Sequence, residues 1–543
     1  MPGGLIALVS FGKQNIVVNG NPQITYFYKT FKRHSHFSEE NITIPLDGPQ
    51  ELTMDMPIRV RAKVQRFADL VRNISLSVRI PDIYSKVIAG RKPHEFKWIH
   101  QLGTQMIQSV AIYVGGTKIQ EFSGEWLAVR AQLDYNADHF NKWQVLTGDK
   151  TELNDPANGI YAGKPYNGDA YPKITTGSKY PNVLPAYDSA RNLISPQANN
   201  PSIPGQYLLI PLPFWFSEGL GNALPLIALE YHEVEIQITF QPLRSLYTVT
   251  DLSGYPVRYG YQNASFPIPN TLLNLNPNVE LFNANYVASS DTLANPQNFY
   301  VDHGFTTPMT EYYNLEPTLQ VSYVYLNDDE RKFFASQSLS YISTQIQEFD
   351  FQGITSRTKF DLDAHNMVRR MAWFARRSDA ITYRNDYLNC TNWKYADKPP
   401  LQYGLDSTGA MNTGSSGILL PGTQREILQS ARILCMGNEI FEEKPAAFFS
   451  SQQPYDNLMG AINGLPGKDS IGPLYVYSFA SKGSDLLQPS GSLNVSVINN
   501  FQLEVNPFPL PPFPQYDYDF TIYVESVNFV VITSGMGSLM FAI

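Results

Sequence analysis

The clearest pattern in the chain is an alternation of apolar and polar residues with a period of two. Between Glu233 and Phe240, the apolar residues Val234, Ile236 and Ile238 alternate with polar ones. This period is typical of a β-strand with one buried face and one solvated face. Further runs of this kind, each bounded by Pro, Gly, Asn or Asp, lie at 74–80, 319–325, 493–497 and 520–524. The pattern predicts a fold of antiparallel strands.

The turns and helices between these strands are predicted to be short. Gly115-Gly116 separates two strand-like runs, and such a pair can take the positive φ angles of a type I′ hairpin. One helix is predicted over 125–134. Another is predicted after Asn327, a good N-cap residue that is followed by three acidic residues. The helices that a parallel βαβ sheet would need between its strands are missing from the pattern.

Long polar stretches divide the chain. They are rich in Gly, Pro, Tyr and Asn and lie at about 147–205, 246–315 and 391–422. Loops of this length usually lie on an exposed face. Because 246–315 separates two blocks of similar strand density, we predict an N-terminal arm (1–25), a first β-domain (26–245), an inter-domain insertion (246–315) and a second β-domain (316–543). No repeat of residues relates the two blocks.

The composition indicates large protein–protein contacts. Charged residues make up 16% of the 543 residues and aromatic residues 13%, whereas globular proteins average about 25% charged residues. The net charge of −9 argues against a nucleic-acid coat, so no direct sequence-specific binding of nucleic acid is expected. Cys390 and Cys435 are expected to be buried thiols. The sequence offers neither a secretory signal nor the roughly 20 apolar residues of a membrane span.

Motifs for catalysis and metal binding are incomplete. His94-Glu95 begins like a zinc-protease helix, but Trp98 stands where the second histidine is needed. The pair His34 and His36 has no cysteine or further histidine beside it. We therefore expect no catalytic residue, no metal site and no cofactor, and we predict that the protein is not an enzyme. A glycosidase carboxylate pair stays compatible with the sequence.

Basic residues and glycosylation sequons supply the remaining candidate sites. The basic residues form three clusters: Lys29, Lys32 and Arg33; Arg59, Arg61, Lys63, Arg66 and Arg72; and Arg369, Arg370, Arg376, Arg377 and Arg384. We interpret them mainly as charged outer faces of sheets or as salt bridges to neighbouring subunits; attraction to an anionic membrane or to nucleic acid is the alternative. Of the five sequons, those at Asn263 and Asn389 lie in or beside loops and are the candidate glycan sites.

Several segments resemble one protein family. They are the opening 3–9, then 20–27 with Arg33-His34, then 124–127, 210–216, 224–229, 231–234, 325–331, 488–494 and 534–537. Together they resemble the double jelly-roll major capsid proteins of nucleocytoplasmic large double-stranded DNA viruses of eukaryotes. The resemblance spans nearly the whole chain, and the long loops depart from it.

The resemblance implies an all-β fold of two consecutive eight-stranded antiparallel jelly-roll β-sandwich domains, with long loop insertions and a few short helices. It also implies a structural role. Three copies would form a homotrimeric pseudo-hexagonal capsomer, and capsomers would tile the icosahedral shell of a virion assembled in the host cytoplasm. Implied partners are neighbouring capsomers, minor capsid proteins and an internal membrane. The alternatives are a minor capsid or spike component, or a carbohydrate-binding β-sandwich that uses Tyr161, Tyr166 and Tyr171.

The N-terminal arm is expected to act on the inner side of the shell. Its glycines keep the backbone adaptable, and the apolar patch at 5–9 is too small to fold alone. The arm would engage neighbouring capsomers, minor proteins or an internal membrane, and Lys29, Lys32 and Arg33 would favour an anionic lipid surface. The alternative is that it packs under its own domain.

Overall fold

The computed structural model describes residues 3–29, 31–83, 94–154, 203–251, 256–257, 313–395, 419–420, 425–460, 472–510 and 516–541. The strands of the first half are β1 (Phe37–Pro45), β2 (Glu51–Leu52), β3 (Ile58–Val64), β4 (Leu70–Ile80), β5 (His94–Trp98), β6 (Ile107–Val114), β7 (Thr117–Phe122), β8 (Gln206–Leu212), β9 (Leu224–Pro225), β10 (Val234–Phe240), β11 (Tyr247–Asp251), β12 (Pro256–Val257), β13 (Tyr313–Asn314) and β14 (Thr318–Leu326).

The strands of the second half are β15 (Leu339–Ile354), β16 (Thr358–Asp361), β17 (Met367–Arg377), β18 (Lys394–Tyr395), β19 (Leu419–Leu420), β20 (Leu428–Cys435), β21 (Asn438–Glu439), β22 (Lys444–Pro445), β23 (Tyr475–Ser478), β24 (Leu493–Asn494), β25 (Phe501–Pro507), β26 (Tyr518–Thr533) and β27 (Met536–Leu539). The helices are α1 (Gly3–Val9), α2 (Lys13–Asn19), α3 (Leu102–Gln105), α4 (Gly124–Asp134), α5 (Ala137–Thr147), α6 (Thr151–Asn154), α7 (Asp328–Ser336), α8 (Ser378–Arg384) and α9 (Gln453–Asn457), with a π-helical turn at Phe448–Gln452 and 3-10 turns at Trp215–Ser217, Leu220–Asn222, Leu226–Ala228, Leu243–Ser245 and Val495–Val497.

Two sandwiches with the same strand order make up the fold. In the first, one sheet runs β1-β14-β4-β8 and the other β3-β10-β6-β7. In the second, the sheets run β15-β26-β17-β23 and β16-β25-β20-β21. Counted along the chain, both have the order first-eighth-third-sixth and second-seventh-fourth-fifth, with antiparallel pairs, which is the order of a jelly roll. The predicted fold of two eight-stranded jelly rolls is confirmed.

The period-two pattern produces the core of each roll. In β10 the residues Val234, Ile236, Ile238 and Phe240 are buried, and the residues between them are half-buried. Strand β3 alternates buried and exposed residues in the same way. Since successive side chains of a strand point to opposite faces, this alternation places one apolar face of each sheet inside the sandwich.

The predicted boundary between the domains is wrong. Strand β14 pairs with β1 from Phe37↔Leu326 to Pro45↔Thr318 and also pairs with β4, so it is the eighth strand of the first roll. The insertion 246–315 therefore lies inside the first roll, between its seventh and eighth strands. Without β14, strand β1 would lack its neighbour in the sheet. The link between the rolls is the segment that contains α7.

The predicted hairpin turn and the two predicted helices are confirmed, and one predicted strand is wrong in part. Gly115 and Gly116 have φ angles of 57° and 83° in the β6–β7 hairpin. Helix α4 begins after Ser123, whose hydroxyl accepts a hydrogen bond from the Trp126 amide. Asn327 caps α7 in the same manner. The strand predicted at 493–497 is wrong beyond its second residue: the Asn494 side chain accepts from the Ser496 amide and closes a turn.

The long insertions of both rolls leave from one end of the molecule. Strand β5 pairs with β11, and Ile83 bridges to Ile203, so the first-roll connections at 81–93, 147–205 and 246–315 start and finish together. In the second roll, the Asn385 side-chain amide donates to the backbone oxygens of Arg244 (2.8 Å) and Tyr247 (2.9 Å). We call this face the insertion end.

The opposite end, here called the base, holds the link between the rolls and the turn that leads into β27. Arg331 of α7 pairs with Asp69 between β3 and β4 at 3.0 Å. The Tyr231 amide donates to the Gly535 oxygen in the turn before β27. The described arm residues 3–25, which hold α1 and α2, are all exposed, so the alternative that the arm packs under its own roll is not met. Met1 and Pro2 lie outside the described residues.

Candidate functional site: the junction between the two rolls

Helix α4 lies between the rolls and joins them. It follows β7 of the first roll and rests on the outer face of the β15-β26-β17-β23 sheet of the second. Its residues from Trp126 to Leu133 are buried. One apolar core contains Trp126 and Leu127 of the helix together with Phe374 and Tyr523 of the second roll. The two rolls therefore share a continuous core instead of being connected only by the chain.

Charged side chains are buried in this junction. The Arg370 side chain, with 0% exposure, donates to both oxygens of Asp134 at 2.5 and 2.8 Å and to Glu525 at 2.8 Å. Arg369 donates to the other oxygen of Glu525 at 2.5 Å. Three guanidinium groups thus meet three carboxylates: Arg130, Arg369 and Arg370 with Asp134, Glu218 and Glu525. The three positive and three negative formal charges of the cluster cancel, and buried charges are stable only when they are paired in this way.

The surroundings set the protonation of these carboxylates. Burial raises the pKa of Asp134, but the guanidinium groups of Arg370 and Arg130 outweigh burial and hold that pKa below its ordinary value. The same balance with Arg370 and Arg369 lowers the pKa of Glu525. At Glu125 burial dominates over its partner Arg376, so the pKa of that carboxyl lies above its ordinary value. Asp134 and Glu525 are therefore anionic at neutral pH.

Side-chain amides complete the junction where the sheet edges face each other. Gln120 of β7 donates to the Thr344 oxygen of β15 at 3.0 Å, and Gln345 of β15 donates to the Ile119 oxygen at 2.7 Å. These reciprocal bonds satisfy backbone groups at the edges of both strands. At the end of α4, the Gly460 amide donates to the Leu133 oxygen and so caps the helix.

The basic residues of β17 were interpreted wrongly from the sequence. Arg369, Arg370, Arg376 and Arg377 are buried within the chain and do not lie on an outer face. Strand β17 is covered on both sides. Arg369, Arg370 and Arg376 pair with carboxylates far away in the sequence, whereas Arg377 pairs with the nearby Asp379. In contrast, Arg59, Arg61 and Lys63 share one exposed face of β3, as predicted. The described members Lys29, Lys32 and Arg33 are exposed. The Arg384 side chain lies outside the described residues.

Only some of the remaining candidate residues lie in the described part of the chain. Asn389 is 6% exposed, and its side-chain oxygen accepts from the Thr391 amide and hydroxyl, so its burial contradicts a glycan there. Asn263 lies outside the described residues, as do Tyr161, Tyr166 and Tyr171. Cys390 is buried, and burial raises the pKa of its thiol; Cys435 is only half-buried, so the expectation of two buried thiols is half correct.

Two kinds of candidate site are missing from the described part of the chain, a metal-binding cluster and a membrane-spanning helix. Within it, no three His, Cys, Asp or Glu side chains converge in a way that could hold a metal ion. Among the same residues, no helix has the length and apolar character needed to cross a membrane.

Comparison with known proteins identifies the family. A profile described as "Major capsid protein N-terminus" matches residues 25–326, which end with the eighth strand of the first roll. A profile described as "Large eukaryotic DNA virus major capsid protein" matches residues 330–538. The chain belongs to this family of viral major capsid proteins. Its predicted family and its role as a structural capsid protein of the virion shell are thereby confirmed.

Relatives and solved structures of this family extend over the full chain. The major capsid proteins of Pyramimonas orientalis virus and Phaeocystis pouchetii virus are 25% and 23% identical to it, with 100% of each chain covered. A quasi-atomic model of the PBCV-1 virus capsid has a TM-score of 0.60 at 18% identity, covering 96% of this capsid protein and 100% of that chain. Faustovirus major capsid protein has a TM-score of 0.57 at 12% identity, covering 98% and 96%. These structures share the fold.

Proposed function

We propose that the protein assembles as a homotrimer whose six jelly rolls form a pseudo-hexagonal capsomer of an icosahedral shell. The observation that carries this proposal is the junction: two rolls of identical strand order are fused into one block by a shared core and a neutral, buried charge cluster. Such a block is a rigid third of a six-roll ring. The low content of charged residues fits large permanent interfaces, which commonly bury more than about 2,000 Å².

The two ends of the block have different roles in this proposal. The insertion end faces outward, because the long polar connections 147–205, 246–315 and 391–422 all begin and end there. The base faces the interior and carries the exposed arm. The arm engages neighbouring capsomers, minor capsid proteins or an internal membrane, and assembly takes place in the host cytoplasm. The role is structural and not catalytic.

Mass photometry of protein released from particles tests the trimer. We expect a species of three chains at micromolar concentration, because obligate subunits rarely persist alone; a stable monomer would contradict the proposal. The copy number in purified particles separates a major from a minor or spike protein, since the major protein dominates the gel.

A further inference from the structure

The two rolls repeat each other in a detail that composition does not reveal. Their third strands, β4 and β17, each contain a β-bulge at an arginine. Arg72 is the extra residue where Val71 and Asn73 pair with Tyr323 and Ser322 of β14. Arg369 is the extra residue where β17 pairs with β26. A second arginine follows seven positions later in both strands, at Arg79 and Arg376.

In the second roll, the outer face that holds these arginines is covered. Helix α4 of the first roll lies on it, with Asp134 bound to Arg370, the residue after the bulge, and Glu125 bound to Arg376. The first-roll counterpart of Arg370 is Asn73, next to Arg72. The apolar side chains Ala372 and Phe374 between them are buried in the shared core. This face of the β15-β26-β17-β23 sheet is therefore an interface that is already filled within the chain.

In the first roll, the equivalent face of the β1-β14-β4-β8 sheet is open. Its two arginines are 37% and 52% exposed and pair only with glutamates of the same roll, Arg72 with Glu39 and Arg79 with Glu316. Between these corners the outward residues are uncharged: Asn73, Ser75 and Ser77 of β4, Gln320 and Ser322 of β14, Asn41 and Thr43 of β1, and Leu209 and Pro211 of β8.

The other sheet of the first roll has a different outer face. Its exposed or half-buried residues include the charged Arg59, Arg61, Lys63 and Glu235. Interface cores are depleted of charged residues, whereas solvated sheet faces carry them. The centre of the β1-β14-β4-β8 outer face lacks such charges, as the core of an interface does.

The second roll holds an unused counterpart of α4. In both rolls a helix follows the fifth strand: α4 follows β7, and the helical segment 448–457 follows β21 and β22. This segment buries Phe449 and Pro454 against its own roll. On its other side Tyr455 is 87% exposed, and Met459, two residues after the helix, is 70% exposed; we call 448–459 the second-roll helical segment. Asp456 lies near its C-terminal end, as Asp134 does in α4.

We propose that copies of this protein bind each other by repeating the junction that already joins the two rolls. The segment 448–459 of one copy covers the outer β1-β14-β4-β8 face of a second copy. Tyr455 and Met459 contact its Ser75 and Ser77, and Asp456 meets Arg72 or Arg79. This inference rests on the proposed trimer. The contact is heterologous, and three copies with two rolls each can close it into a ring.

Two single substitutions test the two sides of the contact. Ser75→Arg places a charge on the sheet face, and Tyr455→Arg places one on the helical segment. Thr239→Arg is the matched control, because Thr239 is half-buried on the charged outer face of the other sheet. We expect either test substitution to weaken association on the order of 100-fold in mass photometry, as substitutions at interface hot spots do. The control variant should still form trimers. Circular dichroism checks that each variant is folded.

Mixing the two variants tests the heterologous geometry. Each variant keeps one intact side, so an equimolar mixture of Ser75→Arg and Tyr455→Arg should form dimers, although each alone is monomeric. Trimers from both single variants would overturn the proposed contact surface but not the proposed trimer. A mixture of the two variants that stays monomeric would also overturn the proposed contact surface. A monomeric unsubstituted protein would instead overturn the proposed function. If Ser75→Arg does not fold, Tyr455→Arg carries the test, since its side chain is outside the core.

Discussion

The buried Arg370 is the residue whose loss should weaken the link between the rolls most directly. Arg370→Met removes the guanidinium and keeps an apolar side chain of comparable length. The change leaves Asp134 and Glu525 buried with fewer partners, since Arg370 supplies three of the hydrogen bonds that these two carboxylates accept.

The expected magnitude follows from the burial of the cluster. Removing one partner of a buried ion pair costs about 3–5 kcal/mol, because an uncompensated charge stays behind. A difference of about 1.4 kcal/mol is a factor of ten in an equilibrium constant, so opening of the junction should become roughly 150- to 5,000-fold more favourable. Helix α4 is the element that this opening releases.

Hydrogen–deuterium exchange of the released, intact protein measures the effect. We expect the amides of 127–134 to exchange faster by that factor, while amides within β10 and β25 keep their rates. Arg244→Met is the matched control, because the Arg244–Asp55 pair is made by side chains 45% and 58% exposed. Exposed ion pairs contribute little to stability, so the amides of α4 should exchange at the unsubstituted rate in the Arg244→Met protein.

A double substitution makes the test sharper. Arg370→Met leaves the Asp134 carboxylate unpaired, and Asp134→Asn removes that charge. The effect of the double substitution should therefore be smaller than the sum of the two single effects. Strictly additive effects, or an Arg370→Met protein whose α4 exchange equals that of the control, would refute the view that this cluster holds the rolls together.

Four further predictions follow from the same contacts. Because the pKa of Glu525 is lowered on folding, its carboxylate stabilises the fold above the unfolded pKa of about 4.3, and this contribution is lost as pH falls through the lower folded value. The difference in thermal midpoint between Glu525→Gln and the unsubstituted protein should therefore shrink from pH 6 to pH 3. Gly115→Ala should lower the thermal midpoint, since a Cβ there would lie 2.4 Å from the His232 ring, whereas Gly116→Ala, also at positive φ, meets nothing within 4 Å and should cost only about 1 kcal/mol. Deletion of residues 2–19 should leave trimers intact but impair shell assembly, and normal shells seen by electron microscopy would contradict the role of the arm. Limited proteolysis of intact particles should cut first within 147–205, 246–315 and 391–422, and cuts confined to 60–80 or 230–240 would contradict the outward orientation.

The local features of the fold could be read from the sequence because each depends on neighbouring residues. The alternation in β10, the Gly115-Gly116 hairpin and the Asn327 cap all express short-range rules. The place of β14 could not be read in this way. Its pattern predicts a strand, but its partners β1 and β4 lie far away across a long insertion, and spacing along the chain suggested the wrong roll.

The junction was also hidden from sequence reasoning. Arginines in a strand usually face solvent, so the cluster around Arg370 was interpreted as an outer surface. Its partners Asp134 and Glu525 lie more than one hundred residues away on either side, and no local signal connects them. The available signal was the run of consecutive basic and apolar residues in β17, which lacks the alternation of a strand with one solvated face.

The most direct test of the whole account is a single-particle reconstruction of the capsomer released from virions. The account predicts a ring of six jelly rolls from three chains, in which contacts within a chain alternate with contacts between chains. Helix α4 should fill each contact within a chain, and segment 448–459 should fill each contact between chains. A ring with another number of chains, or a contact between chains on the charged β3-β10-β6-β7 face, would contradict it.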